Sequence, residues 1–177
     1  MKNVRSGFLM KTFLFGIMLL FGACKQGGKY QENKHEDQLI VELKIKIPKD
    51  DQFELFYRDK DEDYNAERSV RVDVKGAEEF QIVEYVIDLL EFPTHIRIDF
   101  GKNREQGEMT FGHLAFRYNE ASHTFTKEEI KKYFRSNPGL DFNFQDFTVR
   151  TVDVNGKYVP YLHSFNIAYF VNKVILF

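Results

Sequence analysis

Four residues of the chain have the types that carbohydrate-binding sites use, namely Tyr64, Arg97, Asp99 and Asn103. An aromatic ring packs on the apolar face of a sugar, while guanidinium, carboxylate and amide groups hydrogen-bond to its hydroxyls. All four fall in loops or on polar faces of the strands predicted below. The alternative, which is favoured for each residue taken singly, is that Arg97 and Asp99 pair across strands with Arg71 and Asp73 on the solvent face of one sheet.

An acidic run, Asp59-Lys-Asp61-Glu-Asp63, alternates carboxylates of the kind that bind calcium. An EF-hand loop places Gly at its sixth position and Glu at its twelfth, where this chain has Tyr64 and Val70. A solvated hairpin loop is therefore the favoured interpretation of residues 59–63. Calcium held in a different loop geometry is the alternative.

Neither catalytic nor metal-binding spacing is found among the other reactive residues. The histidines at 35, 95, 113, 123 and 163 form no HxH or HExxH motif, and the single cysteine cannot build a zinc cluster. Ser122-His123 and His163-Ser164 are adjacent pairs without the GxSxG turn of a serine hydrolase. We therefore predict no catalytic residues, no metal and no cofactor. A small hydrolase with two carboxylates in a cleft is the alternative.

The single cysteine, Cys24, directly follows a short apolar segment. Three basic residues precede residues 12–23, which are about a dozen apolar positions where a membrane span needs roughly 20. That pattern is typical of a secretory signal. Phe21-Gly22-Ala23-Cys24 resembles the lipobox of bacterial lipoproteins, although Leu is commoner than Phe at its first position. The resemblance implies that Cys24 carries acyl chains that anchor the protein in a membrane. An ordinary signal peptide before an incidental cysteine, and an uncleaved anchor, are the alternatives.

Residues 25–37 are polar, contain two glycines and show no apolar periodicity, which predicts a flexible tether. Within them Glu36-Asp37 resembles the surface-export signals of lipoproteins from Bacteroidetes-type bacteria, although those usually lie closer to the cysteine. The predicted organisation is a signal peptide over 1–23, a tether over 24–37 and one folded domain over 38–177. We expect an outer-membrane lipoprotein of the cell envelope, on its surface or its periplasmic face.

The charge balance argues against a nucleic-acid partner. Loss of residues 1–23 leaves 22 basic against 27 acidic residues, a net charge of about −5 with neutral histidines. A nucleic-acid-binding protein concentrates basic residues on one face, and the sequence has no such cluster.

Alternating apolar and polar residues predict seven or more short strands, since side chains on a strand point to opposite faces in turn. Nineteen Phe and nine Tyr add to this β-rich character. The alternation changes phase by one residue across Gly112-His113, which predicts a β-bulge. Asn155-Gly156 predicts a hairpin turn between two strands, and the apolar residues 166–177 are predicted to complete a sheet.

One short helix is predicted after Thr126-Lys-Glu-Glu129, which has the form of a capping box. Ile130, Tyr133 and Phe134 follow on one stripe, and Asn137-Pro138-Gly139 is expected to end the helix. Long crossover helices between strands are missing from the pattern, so a parallel α/β fold is disfavoured. The predicted fold class is all-β, an antiparallel two-sheet β-sandwich with one short helix.

Several segments follow a recurring family pattern: Phe53-Glu-Leu-Phe-Tyr57, Ser69-Val70 through Val74-Lys75-Gly76, Glu79-Phe80, and Ile96-Arg97-Ile98-Asp99 with Gly101 and Asn103. Over residues 38–118 the chain resembles the galactose-binding-like jelly-roll modules of exported and envelope proteins of Bacteroidetes-type bacteria. The resemblance implies a jelly-roll-like sandwich and suggests a sugar ligand, without a catalytic signature. We expect a non-catalytic carbohydrate-binding module. The alternative is a structural or assembly subunit that binds another envelope protein by its sheet edges or its C-terminal strand.

Overall fold

Two antiparallel sheets form the folded part of the chain in a computed structural model, which describes residues 38–88 and 92–176. The predictions for residues 1–37, including Cys24, lie outside these described residues. One sheet has the order β4-β1-β6-β10-β9 with β7 also paired to β6. Its strands are β1 (Gln38–Lys46), β4 (Gln81–Asp88), β6 (Met109–Tyr118), β7 (Ala121–Thr124), β9 (Leu140–Asn143) and β10 (Thr148–Thr151).

The second sheet has five strands in the order β3-β2-β5-β11-β8. Its strands are β2 (Asp51–Arg58), β3 (Ser69–Val74), β5 (His95–Asp99), β8 (Phe134–Ser136) and β11 (Tyr161–Ser164). The chain passes repeatedly from one sheet to the other. For example, β1 and β2 are consecutive in the chain but lie in different sheets. The prediction of an all-β, two-sheet sandwich is confirmed.

Alternation along the strands produces the core between the sheets. On β1 the side chains of Leu39, Val41, Leu43 and Ile45 are fully buried, while the intervening Glu42 and Lys44 point away from the core. Aromatic rings fill the space between the sheets, and Phe53 meets Phe100 edge-on with ring centroids 5.3 Å apart. Each such side chain contributes about 1.5–3 kcal/mol when buried, so the core supplies the main stabilising term.

The predicted β-bulge lies in β6, where Lys44 is opposite His113 while the next residue, Ile45, is opposite Phe111. Gly112 is therefore the extra residue of the bulge. A side chain there would meet Lys44, because an added Cβ would lie 3.0 Å from the Lys44 carbonyl oxygen. The bulge lets Phe111 and Leu114 both enter the core despite their odd spacing.

Two α-helices accompany the sheets in the described part of the chain, with a short 3₁₀ turn at Ala66–Arg68. Helix α1 (Lys127–Tyr133) begins with the predicted capping box, in which the Thr126 hydroxyl accepts from Glu129 N–H and the Glu129 carboxylate accepts from Thr126 N–H. It ends before the predicted Asn137-Pro138-Gly139 stop, because Phe134 turns inward as the first residue of β8.

The prediction of a C-terminal strand is wrong, because residues 168–175 form a second helix, α2 (Ala168–Ile175). Phe170, Val171 and Val174 have helical spacing and are buried, while Tyr169 is 70% exposed. Their contacts with the rest of the domain select the helix over a strand, a tertiary effect that outweighs β propensity. No helix in residues 38–88 and 92–176 combines the length and the apolar character that crossing a membrane requires.

The Asn155-Gly156 turn forms with positive φ at both residues, as a type I′ turn requires, and the Asp153 carboxylate accepts from Gly156 N–H. It joins a single bridge between Val154 and Lys157 rather than the two strands that the sequence predicts. The turn is therefore confirmed, and the extended hairpin around it is not.

Candidate functional site

Aromatic and cationic side chains cluster on the outer face of the five-stranded sheet, which points away from the core. We call this cluster the platform, and it consists of Phe56, Tyr64, Arg97, Tyr161, His163 and Phe165. The Arg97 guanidinium carbon lies 4.4 Å from the ring centroid of Phe56, 4.8 Å from that of Tyr161 and 5.4 Å from that of Tyr64. Three rings thus hold one flat cation at the centre of the face.

Strand pairing explains why these residues meet. Phe56 is opposite Arg97, Arg97 is opposite His163, and His163 is opposite Arg135, so one row crosses four strands. At about 4.8 Å between neighbouring strands the row is about 14 Å long, which is longer than a single sugar ring. Phe165 lies beyond the end of β11, where it is 45% exposed and carries the Arg135 guanidinium 5.1 Å above its ring.

Arg97 and Asp99 pair with each other along one strand. Arg97 Nε and one terminal nitrogen donate to the two Asp99 oxygens at 2.7 and 2.8 Å, a bidentate arrangement. The pair is partly buried, with the two side chains 22% and 18% exposed. Burial raises the pKa of Asp99, although the hydrogen bond and charge of Arg97 act against this shift.

The alternative in which Arg97 and Asp99 pair across strands with Arg71 and Asp73 is wrong. Strand β2 lies between β3 and β5, so the cross-strand neighbour of both Arg71 and Asp99 is Glu54. Arg71 Nε contacts the Glu54 carboxylate at 3.0 Å. Because Glu54 already pairs with Arg71, the carboxylate that pairs with Arg97 is Asp99 in the same strand.

Tyr64 closes one side of the platform from the loop after β2. Its hydroxyl donates to the Ile96 carbonyl oxygen at 3.1 Å, which fixes the ring over β5. The Arg58 guanidinium lies 5.0 Å from the same ring. Burial raises the pKa of Tyr64, so the phenol stays protonated and keeps donating at neutral pH.

Two arginines at the edges of the platform carry charge that no carboxylate in residues 38–88 and 92–176 offsets by an ion pair. Arg58 donates to the carbonyl oxygens of Asp59 and Lys60, and Arg135 donates to those of Lys131 and Phe134. These contacts position the guanidinium groups without neutralising them.

The surroundings lower the pKa of two histidines on this face. Burial lowers the pKa of His163, and the positive charges of Arg135, Arg97 and Arg58 lower it further. Burial lowers the pKa of His95 as well, with Arg58 acting in the same direction. Arg58 acts on both histidines, and Arg97 and Arg135 act on His163 as well, so cationic groups gather on this face although the chain as a whole has a net charge of −2.

The fourth predicted ligand-binding residue, Asn103, lies in the loop after β5, and its side chain binds the loop backbone. Its amide nitrogen donates to the Asp50 carbonyl oxygen at 3.0 Å, and its amide oxygen accepts from Glu105 N–H at 3.0 Å. The structure therefore brings Tyr64, Arg97 and Asp99 together and places Asn103 outside the platform.

Two of the four carboxylates in the acidic loop 59–63 bind other groups of the domain. Asp59 accepts from Lys60 N–H and from the Thr94 hydroxyl, and Glu62 pairs with Arg68. No group of three or more His, Cys, Asp or Glu residues in the described part of the chain is arranged to hold a metal ion.

A shallow cleft of about 240 Å³ adjoins the edge of the platform and is lined by Arg58. Tyr57, Phe92 and Pro93 contribute its apolar surface, and the acidic loop contributes Asp59. Its volume falls below the roughly 300 Å³ at which pockets for small molecules begin. The extended platform, rather than this cleft, is therefore the candidate site.

The opposite outer face, on the six-stranded sheet, differs in character. There Glu42 contacts both His113 Nε2 at 2.8 Å and Arg117 Nε at 3.1 Å, and Arg117 also pairs with Glu84. Carboxylates thus pair with Arg117 on that face, whereas Arg58 and Arg135 at the edges of the platform form no ion pair with the described residues.

Comparisons of the chain with family models, with curated proteins and with solved structures find no match. The site therefore rests on its own geometry. Sequence reasoning missed Phe56, Tyr161, His163 and Phe165 as members of it. A signal was present in Tyr161-Leu-His-Ser-Phe165, where aromatic side chains at every second position share one face of a strand.

Proposed function

We propose that this chain is an envelope lipoprotein whose folded domain binds carbohydrate on the platform without catalysing a reaction. The observation that carries the proposal is the set of rings around Arg97 on an outward sheet face. Half-buried rings such as Phe56 and Tyr161 offer flat apolar surface to a sugar, and Arg97 and Asp99 offer hydrogen-bonding groups beside it.

Preorganisation supports a binding role. Arg97 is held by two hydrogen bonds and three rings, and Tyr64 is held by the Ile96 carbonyl oxygen. Side chains that are already ordered lose little conformational entropy when a ligand arrives, so more of the contact energy appears as affinity.

The experiment measures glycan binding by calorimetry, with full-length chain purified in detergent and a panel of neutral and acidic oligosaccharides. Replacing Tyr161 by Ala is expected to weaken binding about tenfold, because the sugar loses a stacking partner. Tyr169→Ala is the matched control, since Tyr169 is 70% exposed on α2 and lies outside the platform. Absence of any saccharide ligand for the folded protein, or equal loss in the two variants, would refute the proposal.

The membrane anchor is the second part of the proposal and rests on Cys24 and the apolar segment before it. Mass spectrometry of the N-terminal peptide from native membranes is expected to find acyl chains on Cys24. Cys24→Ser is expected to move the protein out of the membrane fraction. An unmodified thiol on membrane-associated protein would contradict this part while leaving the binding proposal in place.

An assembly subunit remains the second candidate function, and one observation favours it. Strand β4 is an edge strand that pairs with β1 alone among the described strands, and Ile82 on it and Phe80 before it are 48% and 46% exposed. A photo-crosslinker at position 82 would capture a partner protein in cells, whereas one at position 169 would not. Binding of a partner through a C-terminal strand is not supported, because the segment forms helix α2 and buries its apolar side chains within the domain.

A further inference from the structure

We propose that the platform recognises negatively charged saccharides, of which uronic-acid polymers are the simplest example. The inference rests on the proposed carbohydrate-binding function and names its ligand class. It depends on two arginines at the edges of the platform, Arg58 and Arg135, so its test is separate from the test of carbohydrate binding itself.

Four arginines lie in or near the row Phe56–Arg97–His163–Arg135, namely Arg58, Arg71, Arg97 and Arg135. Asp99 offsets Arg97, and Glu54 offsets Arg71 on the neighbouring strand. Arg58 and Arg135 remain without a carboxylate partner in residues 38–88 and 92–176. Two arginine charges thus have no ion pair there, that of Arg135 at the β8 end of the row and that of Arg58 beside its β2 end.

Rings and backbone carbonyl groups orient the guanidinium groups of Arg58 and Arg135. Each guanidinium lies over an aromatic ring, Arg58 over Tyr64 at 5.0 Å and Arg135 over Phe165 at 5.1 Å. Each also donates to backbone carbonyl oxygens, which fixes its plane. A planar guanidinium matches a carboxylate or sulfate in two-point contact, whereas a lysine would present a point charge.

Arg58 and Arg135 lie on strands at opposite sides of the platform. Arg58 is opposite His95, in the row next to the one that contains Arg97, while Arg135 ends that row on β8. The two cations therefore lie several strand spacings apart, on the order of 15 Å. One small anion cannot contact both. A chain of sugars bearing an acid group on successive residues can contact both and still stack on the rings between them.

The test compares oligogalacturonate with its methyl ester, which has the same sugar backbone without the charge. Full-length protein in detergent is titrated with each by calorimetry at low and high salt. We expect the acid to bind at least about fivefold more tightly than the ester at low salt, with the difference shrinking at high salt as the charges are screened.

Single substitutions test whether the preference for the acid over the ester comes from Arg58 and Arg135. Arg58→Gln and Arg135→Gln are each expected to weaken binding of the acid by about fivefold and to weaken binding of the ester less, so that the preference for the acid shrinks. Arg150→Gln is the matched control, because Arg150 is an exposed arginine on the six-stranded sheet, where it pairs with Glu108. It is expected to change neither affinity. Circular dichroism spectra that match the parent protein confirm that each variant is folded.

The outcomes separate the two proposals. Equal or tighter binding of the ester would overturn the charge inference and leave carbohydrate binding intact. Absence of binding for both probes and for the whole neutral panel would overturn both proposals. An acid preference that Arg150→Gln abolishes as strongly as Arg58→Gln and Arg135→Gln would also overturn the inference, because the charge effect would then not belong to the platform.

Discussion

Replacement of Arg97 by Met tests whether the centre of the platform is organised by an ion pair. The variant keeps a long side chain between the rings of Phe56 and Tyr161 but removes the charge that faces Asp99. The Asp99 carboxylate, 18% exposed, is then left beside the sheet without its bidentate partner. We expect a loss of stability at neutral pH.

The size of the loss follows from the burial of the pair. Breaking a fully buried pair costs about 3–5 kcal/mol, and exposed pairs contribute about 0.2–1 kcal/mol. The intermediate burial of Arg97 and Asp99 places this term at about 2 kcal/mol. Loss of the cation–π contacts, partly offset by packing of the Met side chain, adds about 1 kcal/mol. The expected total of about 3 kcal/mol is a large fraction of the usual stability of a domain.

The loss depends on pH in a defined direction. The pKa of Asp99 is already above its unfolded value, and removal of Arg97 raises it further. When the pKa of a carboxyl group is higher in the folded state, its proton stabilises the fold at pH values below the unfolded pKa of about 4. This stabilisation is lost as the pH rises through the folded pKa. The stability of Arg97→Met should therefore fall further behind that of the parent protein as the pH rises from 5 to about 7.

Urea unfolding followed by circular dichroism at both pH values measures these differences. The double variant Arg97→Met with Asp99→Asn is the control, because a neutral amide removes the unpaired charge and should restore about 2 kcal/mol. A loss below about 1 kcal/mol in Arg97→Met, or no recovery in the double variant, would refute an organising role for the pair.

Three further predictions concern the fold. Gly101→Ala should lower the free energy of unfolding in urea by about 2 kcal/mol, because φ is +78° and an added Cβ would lie 2.2 Å from the Asp51 carboxylate. Gly156→Ala should lower it by about 1 kcal/mol, because φ is +80° but the space around the residue is open. Equal losses in the two variants would contradict this. Tyr85→Phe should be neutral or stabilising by about 1 kcal/mol, because the buried hydroxyl has no hydrogen-bond partner among the described residues; a clear destabilisation would contradict this. The parent protein should lose stability as the pH falls below about 6.5, because burial lowers the pKa of His123 and its protonated form therefore disfavours folding. His123→Gln should reduce this loss. An unchanged dependence of the free energy of unfolding on pH would contradict this.

Local patterns explain which parts of the fold were predictable. The capping box at Thr126 and the bulge at Gly112 depend on interactions between close neighbours in the sequence or on the phase of a single strand. The strand cores follow from alternation, which is also local. The C-terminal helix was not predictable in this way, because a short apolar run is compatible with either a strand or a helix until its contacts are known.

The platform was predictable in part. Arg97, Asp99 and Tyr64 have residue types that indicated a polar site with an aromatic member, and the structure brings these three together. Their neighbours Tyr161 and Phe56 come from β11 and β2, and only the order β2-β5-β11 places them on either side of Arg97. Strand order depends on long-range pairing, which a single sequence does not reveal.

Gly112 makes the number of residues in β6 as important as their types. Loss of Gly112 would bring Phe111 and Leu114 to the two-residue spacing of a regular strand, so both would still face the core after the bulge is gone. Loss of a residue elsewhere in β6 would leave the bulge in place, and the apolar side chains on one side of the deletion would then turn outward. A substitution in this strand alters one contact, whereas such a deletion inverts a whole row of contacts. Single-residue deletions should therefore be tolerated at Gly112 and excluded from the strand on either side of it.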